Sequence, residues 1–435
     1  DVSGDADIDG TLEADALTIN GSALNYKAFG TSSIMIGDDA TGTINAANYN
    51  TGLGVDVFAN LTTGDQNTVL GFEAGNALTT HNQNTLIGYQ AGKLLGGSSA
   101  SWQAQRNTFI GYGAGRDVDE GQSAIAIGYY AMMSSTGTTT NDIAIGYQAM
   151  QYRASTTGDS IAIGANAHRG DINEGYQNAN RNVAVGTNTL SIIETGGQQN
   201  TAIGWYAGQN ATTGAYNTLI GSEAGQAVST GQRNTLLGYQ AGELITTGSY
   251  NVVIGSYDGN ENSLDIRTSS NNIILSDGSG NIRMRIDSSG NVGIGTTSPD
   301  RQLELEGQGV LRLNATGSDT DPGIDFNTAS ASDMQIRYRG ATDKLAIYSY
   351  GTSSDIVTIQ KSNGNVGLGT SSPSAKCHLY TSTSGAINLG IQNSQRYWKI
   401  ETVSEKLSIA DVSAGGLARM TFDTSGNVGI GTNNP

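Results

Sequence analysis

A ten-residue phrase, NTLIGYQAGK at 84–93, returns almost unchanged as NTLLGYQAGE at 234–243. Aligned on the glycine after its apolar pair, the phrase ends at Gly37, Gly54, Gly71, Gly88, Gly111, Gly128 and Gly146. It continues to Gly164, Gly186, Gly204, Gly221, Gly238 and Gly255. Most steps are 17 or 18 residues; the exceptions are 23 from Gly88 to Gly111 and 22 from Gly164 to Gly186. Repetition at so short a period marks a stack of similar units, each resting on the next.

A unit of this length is too short for a helical hairpin. It suits one coil of a stacked parallel β-roll, predicted as two short strands and two tight turns. Ile, Val, Thr, Tyr and Phe fill the phrase, and Asn, Gly, Thr and Ser fill the gaps, as strands and turns require. The phrase glycines are expected at positive φ or at close backbone approaches. Thirteen coils at about 4.8 Å per strand give a rod of roughly 60 Å.

The apolar pairs Leu86-Ile87, Leu219-Ile220 and Leu236-Leu237 add a constraint. Adjacent residues of a strand point to opposite faces, so both faces call for burial. A thin coil has one interior, so the outer face needs a partner, most simply another copy of the chain. YQAG, with a large residue before Ala91 or Ala241 and then Gly, reads as a close lateral contact. The recurring Asn67, Asn84, Asn107, Asn200, Asn217, Asn234 and Asn251 read as a ladder bonded to neighbouring backbone, with ion binding as the alternative.

Beyond about residue 260 a second phrase takes over: GNVGIGTTSP at 290–299, GNVGLGTSSP at 364–373 and GNVGIGTNNP at 426–435. The alternating stretches before each copy, with Gly or Asp-Gly turns, predict antiparallel hairpins. Each module is expected to close on a Gly-rich kink and a strand-stopping Pro. The domain reading is an N-terminal β segment (1–30), a roll (31–259), and β-modules at 260–299, 300–373 and 374–435. The third module is expected to continue beyond 435. The chain opens on Asp1 without a visible signal peptide, and the expectation is a fragment, a processed product or the ordered part of something longer.

These phrases carry a family resemblance. AIAIG and SIAIG at 124–128 and 160–164 resemble the heads of trimeric autotransporter adhesins, which are left-handed parallel β-rolls of three chains. NTLIGYQAG joined to SGNVGIGTTSP looks more like bacteriophage tail fibres. There the second phrase often precedes an endosialidase-type intramolecular chaperone that trimerises the fibre and is cleaved off. The resemblance covers roughly 30–300 for the roll and 281–435 for the modules. It implies a homotrimeric fibre on a virion tail, extracellular, held by tail or baseplate proteins and binding a host surface polysaccharide or protein. A bacterial surface adhesin is the alternative, and a polysaccharide-degrading tailspike a third reading.

Other features narrow the choice. The net charge is −17, which repels phosphate backbones, so no nucleic acid partner is expected. There is no apolar run of membrane-spanning length. The single Cys377 excludes an internal disulfide and is expected to be buried. His81, His168 and His378 lack metal-ligand spacing, and no nucleophile or phosphate-binding motif is present. No catalysis, metal or cofactor is therefore expected. DADIDG at 5–10 begins like a calcium loop, but its twelfth position is Ala16, where Glu belongs. RGD at 169–171 lies within one of the two expanded repeats, 93–106 and 165–181. Insertions in stacked repeats form outward loops, so Trp102 and Tyr176 are candidates for stacking on sugar rings. Tyr397 and Trp398 in QRYWKI are candidates of the same kind, expected to be partly buried.

Overall fold

The computed structural model describes residues 18–19, 22–23, 26–29, 31–36, 46–96, 104–134, 136–152, 154–155, 158–170, 179–194, 196–307, 311–313, 321–328, 331–381, 387–392, 395–403, 405–432 and 434–435. Among them the fold is all-β, the only helical segments being short 3-10 turns at Gly340–Thr342 and Val412–Ala414. The chain forms two compact units, Asp1–Gly309 and Val310–Pro435.

The first unit is a parallel β-solenoid of about 12 coils, about 17 residues per turn. Each coil contributes one three-residue strand, from Thr51–Leu53 to Val252–Ile254, and Ser33–Ile36 and Ile273–Ser276 extend the ladder at its ends. Neighbouring strands pair without offset: Thr85 with Thr108, Leu86 with Phe109, Ile87 with Ile110. Both long steps pass without a register shift, as Ala162 pairs with Ala184 across the second. The ladder runs from Tyr26–Phe29 at one end to Leu303–Leu305 at the other, and no described pairing joins these two strands. Closing a ring would require strand tilt and stagger, and these in-register coils have no stagger.

The predicted second strand is present in part of the stack, where Glu120–Gln122, Thr136–Thr140 and Ala154–Ser155 pair in parallel as a second short ladder; in the other described coils it is absent. In its place, Gly88 to Gly92 alternates left-handed residues: Gly88 at φ 135°, Gln90 at 54° and Gly92 at 57°. Tight turns close from Ala91 N–H to Gly88 O (3.3 Å) and from Leu95 N–H to Gly92 O (3.1 Å). The alternation sends successive N–H groups to opposite neighbours. Gln90 donates back to Phe72 O and Gly92 forward to Ala114 O, each near 2.8–2.9 Å. The backbone is thus satisfied between coils without a β ladder. Gly88 meets both expectations for its position, since a Cβ there would run into the carbonyl of Gly111.

The interior is filled by the middle residue of each strand. Leu86, Phe109, Leu219 and Leu236 are fully buried, and Ala91 and Ala241 lie inside with them. The Ala-Gly of YQAG is therefore interior packing, and the predicted lateral contact is corrected. Gly92 is needed because a Cβ would lie 2.9 Å from a Leu86 methyl. In four coils with a small strand centre the residue six positions on is large: Gly52 with Phe58, Ala126 with Met132, Ala144 with Met150, Ala184 with Leu190; Ala202, with Gly208, departs from this. Where the centre is large, that residue is Gly: Val69 with Gly75, Phe109 with Gly115, Leu219 with Gly225. The coil keeps its interior volume by exchanging bulk between two sites.

The asparagines form a ladder through this interior. Asn67 Oδ1 accepts from the Asn84 backbone N–H (3.0 Å) and from Asn84 Nδ2 (3.1 Å). Asn84 Nδ2 also donates to Ala104 O at 3.0 Å. Asn50, Asn107, Asn182, Asn200, Asn217, Asn234, Asn251 and Asn272 belong to the same buried row. Ser33 Oγ heads the row by accepting from Asn50 N–H, and the Arg285 guanidinium closes it on Asn272 Oδ1 at 2.9 Å. Arg285 stands in the hairpin Ile273–Ser276/Ile282–Ile286, so the first GNVGIG module continues the solenoid's own ladder.

The second unit holds two largely antiparallel sheets, the first ending in a parallel pair, Val366–Leu368 with Cys377–Leu379. One has six strands between Gly323 and Leu379, the other five between Ile387 and Ile430. All three GNVG(I/L)G phrases fold alike. A Cβ on the middle glycine, Gly293, Gly367 or Gly429, would meet the Thr of GT at 2.5–2.9 Å and the closing Pro at 3.1–3.4 Å. Each kink thus folds back over its own strand. In two copies the Asn also holds the Pro carbonyl, Asn291 Nδ2 to Pro299 O and Asn365 Nδ2 to Pro373 O.

Candidate interaction surface

Each solenoid strand turns its first and third residues outward. The third position reads Leu53, Leu70, Ile87, Ile110, Ile127, Ile145, Ile163, Val185, Ile203, Ile220, Leu237 and Ile254. All are partly or fully exposed, Leu53 at 47% and Leu237 at 43%. In-register pairing places them in one row at the inter-strand spacing of about 4.8 Å.

Two positions beyond this row lies an aromatic one, formed by the residue after each phrase glycine. Phe72, Tyr89, Tyr112, Tyr129 and Tyr147 stack ring on ring over five coils, with centroids 4.7–5.4 Å apart. Trp205 and Tyr239 stand exposed at the same position further along, Trp205 edge-on to Tyr206 at 4.2 Å. Stacking uses the ring faces on one another and leaves edges and hydroxyls outward. The hydroxyl of Tyr130, hydrogen-bonded to its neighbours, holds the Tyr112 and Tyr129 phenols above the usual tyrosine range. Beside the row, a depression is lined by Gln90, Lys93, Leu94, Arg116 and Asp117. Its charges are engaged locally: Lys93 with Glu73 at 2.6 Å, Arg116 with Asp117 at 2.8 Å.

The second unit repeats the theme on its sheets. In the five-stranded sheet, Leu389 faces Ile400, Ile391 faces Trp398 and Phe422 faces Val428 across strands. This apolar face is open, with Ile391 61% exposed. The opposite, polar face is the more buried one, holding Glu401, Ser408 and Thr421. The six-stranded sheet is built likewise: Ile324, Phe326, Ile336, Leu345 and Ile359 are exposed. Its other face carries Asp355, bonded by Arg337 at 3.3 Å and Arg339 at 3.0 Å, with Arg337 3.6 Å over the Tyr348 ring.

The candidates singled out by sequence fare differently. Trp102 and Tyr176 lie outside the described residues, as does DADIDG. Tyr397 and Trp398 are adjacent in one strand and occupy opposite faces. Trp398 belongs to the open apolar face, whereas Tyr397 lies across Gly390 on the polar one. They do not form one site. Arg169 of RGD is half-buried, its guanidinium 6.0 Å from the Tyr152 ring, and Asp171 is outside the described residues. Cys377 is exposed rather than buried, at the start of the edge strand Cys377–Leu379. His81 and His168 are interior residues of different coils. Among the described residues no cluster of His, Cys, Asp and Glu could hold a metal ion, and no helix is long and apolar enough to cross a membrane. The aromatic row escaped the sequence reading. Its signal was the aromatic residue recurring after the phrase glycine.

No protein-family model matches this chain, and no curated protein matches it in sequence.

Proposed function

We propose that the chain is a structural and adhesive fibre that assembles as a homotrimer and displays receptor-binding surfaces for host attachment, in the manner of a phage tail fibre. It acts by rigid display and avidity, with three copies multiplying weak contacts, and without catalysis. The observation that carries the reading is the outward apolar row, together with the open apolar faces of both sheets. A continuous row of twelve partly exposed aliphatic side chains is the kind of contiguous apolar surface that marks an interaction site. The period belongs to the chain itself, so identical copies match one another coil for coil. Three such walls meeting at an axis give a closed cyclic assembly. The resemblance of the Gly phrases to trimeric fibres supports the number three.

Sedimentation equilibrium of the folded chain tests this. The expected mass is three times the 45.0 kDa protomer. A stable monomer at micromolar concentration would overturn the assembly. Release of oligosaccharide from host capsule or lipopolysaccharide would overturn the non-catalytic part.

A further inference from the structure

Two cations stand together on one flank of the solenoid. Lys93 and Arg116 hold the same position in consecutive coils, five residues past the phrase glycines Gly88 and Gly111. The coils on either side carry Asn76 and Met133 there. With Gln90, Leu94 and Asp117, the two cations line a depression of about 320 Å³ beside the tyrosine row, at the small end of ligand pockets. It opens at the first residues of the expanded repeat 93–106, and insertions in stacked repeats gather on the binding face.

The hydrogen-bond inventory of this depression is lopsided. Glu73 Oε2 already accepts from Lys93 Nζ and from Gln90 Nε2, both at 2.6 Å. Asp117 Oδ1 accepts from Arg116 Nε at 2.8 Å, and its Oδ2 from Arg116 Nη2 at 2.8 Å and Ser134 Oγ at 3.2 Å. The carboxylates are therefore engaged, and the bonds from Lys93 and Gln90 hold Glu73 below the usual carboxylate range. The cations are not used up. Lys93 commits one of its three N–H donors, and Arg116 two of its five. What remains is rich in donors and reachable, each of the two side chains being 30% exposed. Leu94, 45% exposed, adds an apolar wall. The two cations and the carboxylates of Glu73 and Asp117 cancel locally, which favours a singly charged ligand over a doubly charged phosphate.

We propose that this depression binds a carboxylate-bearing sugar, a hexuronate unit of a surface polysaccharide. Its carboxylate bridges Lys93 and the Arg116 fork, its hydroxyls meet Gln90 and Asp117, and a C–H face lies on Leu94. The inference rests on the reading of the chain as a display fibre and names the chemistry displayed. The lining residues Gln90 to Leu94 stand three to seven positions along the coil from Ile87 of the aliphatic row, so binding and assembly use different side chains.

The test is titration of the intact chain into fluorescein-labelled trigalacturonate at low salt, followed by anisotropy. Saturable binding is expected, with labelled maltotriose and triglutamate binding about tenfold more weakly or worse, since one lacks the carboxylate and the other the sugar. Lys93→Gln and Arg116→Gln should each weaken binding by about tenfold or more. Arg301→Gln, which removes an exposed cation elsewhere, should leave it unchanged. Circular dichroism checks folding, and Arg116→Lys, which keeps the charge and loses the fork, stands in if Arg116→Gln does not fold. Absence of saturable binding overturns the proposal, as does undiminished binding in the Lys93 and Arg116 variants. Equal binding of maltotriose or triglutamate, or an equal loss with Arg301→Gln, overturns it too. A monomer in sedimentation would overturn the trimeric fibre alone, because the titration is read per chain.

Discussion

Leu86 and Gly92 share the inside of one coil, and their sizes are coupled. A Leu86→Ala change empties a fully buried site and should cost about 2–5 kcal/mol. Adding Gly92→Met should restore a large part, because Ala126 with Met132 and Ala144 with Met150 already use that arrangement. Met132 and Met150 hold φ of 52° and 51°, so the left-handed backbone accepts the side chain. Denaturant titration checks both variants; a double mutant no more stable than the single one would refute the exchange. The exchange is written in the sequence, as NTLIGYQAG against IAIGYYAMM, but recognising it requires knowing which positions meet inside. The Asn ladder was legible as a row of turn residues; that it is buried was not, because Asn is usually an exposed residue.

At the scale of the element, the strand around Leu86 and the glycine kinks could be read directly. The second strand forms only at Glu120–Gln122, Thr136–Thr140 and Ala154–Ser155; in the coil of YQAGKLL strand-like residues did not produce one, because Gln90 and Gly92 adopt positive φ. Propensity reports what a residue prefers, and stacking of coils overrides it. The hairpin turns of the modules have their own chemistry. Hydrogen bonds from the Arg283 guanidinium, with the Ser279 and Asn281 backbone, hold the Asp277 carboxyl at about 2 against an ordinary 3.8. A carboxyl depressed on folding contributes stability above its unfolded value, lost as the pH falls through the folded one. The Asn281 amide, which donates to Asp277 Oδ1 at 3.0 Å, should therefore keep its native signal from pH 7 to 4 and titrate near pH 2. Asp277→Asn should abolish that titration; a midpoint near 4 in the native chain would contradict the turn.

Over the whole molecule, a chain of net charge −17 keeps its charges away from the outward apolar row. Placing charge there is the direct perturbation. Ile163→Glu, Ile203→Glu and Leu237→Glu together should leave circular dichroism unchanged, since all three side chains point away from the interior. They should lower the sedimenting mass; an unchanged mass would remove the row from the assembly. The outward apolar row was legible in Leu86-Ile87, because alternation leaves one of two apolar neighbours outside. Trp102 and Tyr176 were chosen for their place in the expanded repeats and lie outside the described residues; Tyr397 and Trp398, adjacent in one strand, fall on opposite faces. The bulk exchange between Leu86 and Gly92 has a consequence for length. A coil that balances volume within itself can be deleted or duplicated without leaving a void in its neighbours. Reach can then change in whole steps of one coil, as on a ruler with fixed graduations. The coil of Ala202 and Gly208 is an exception, because Leu190 and Leu219 from the adjoining coils fill its space. That graduation cannot be moved alone.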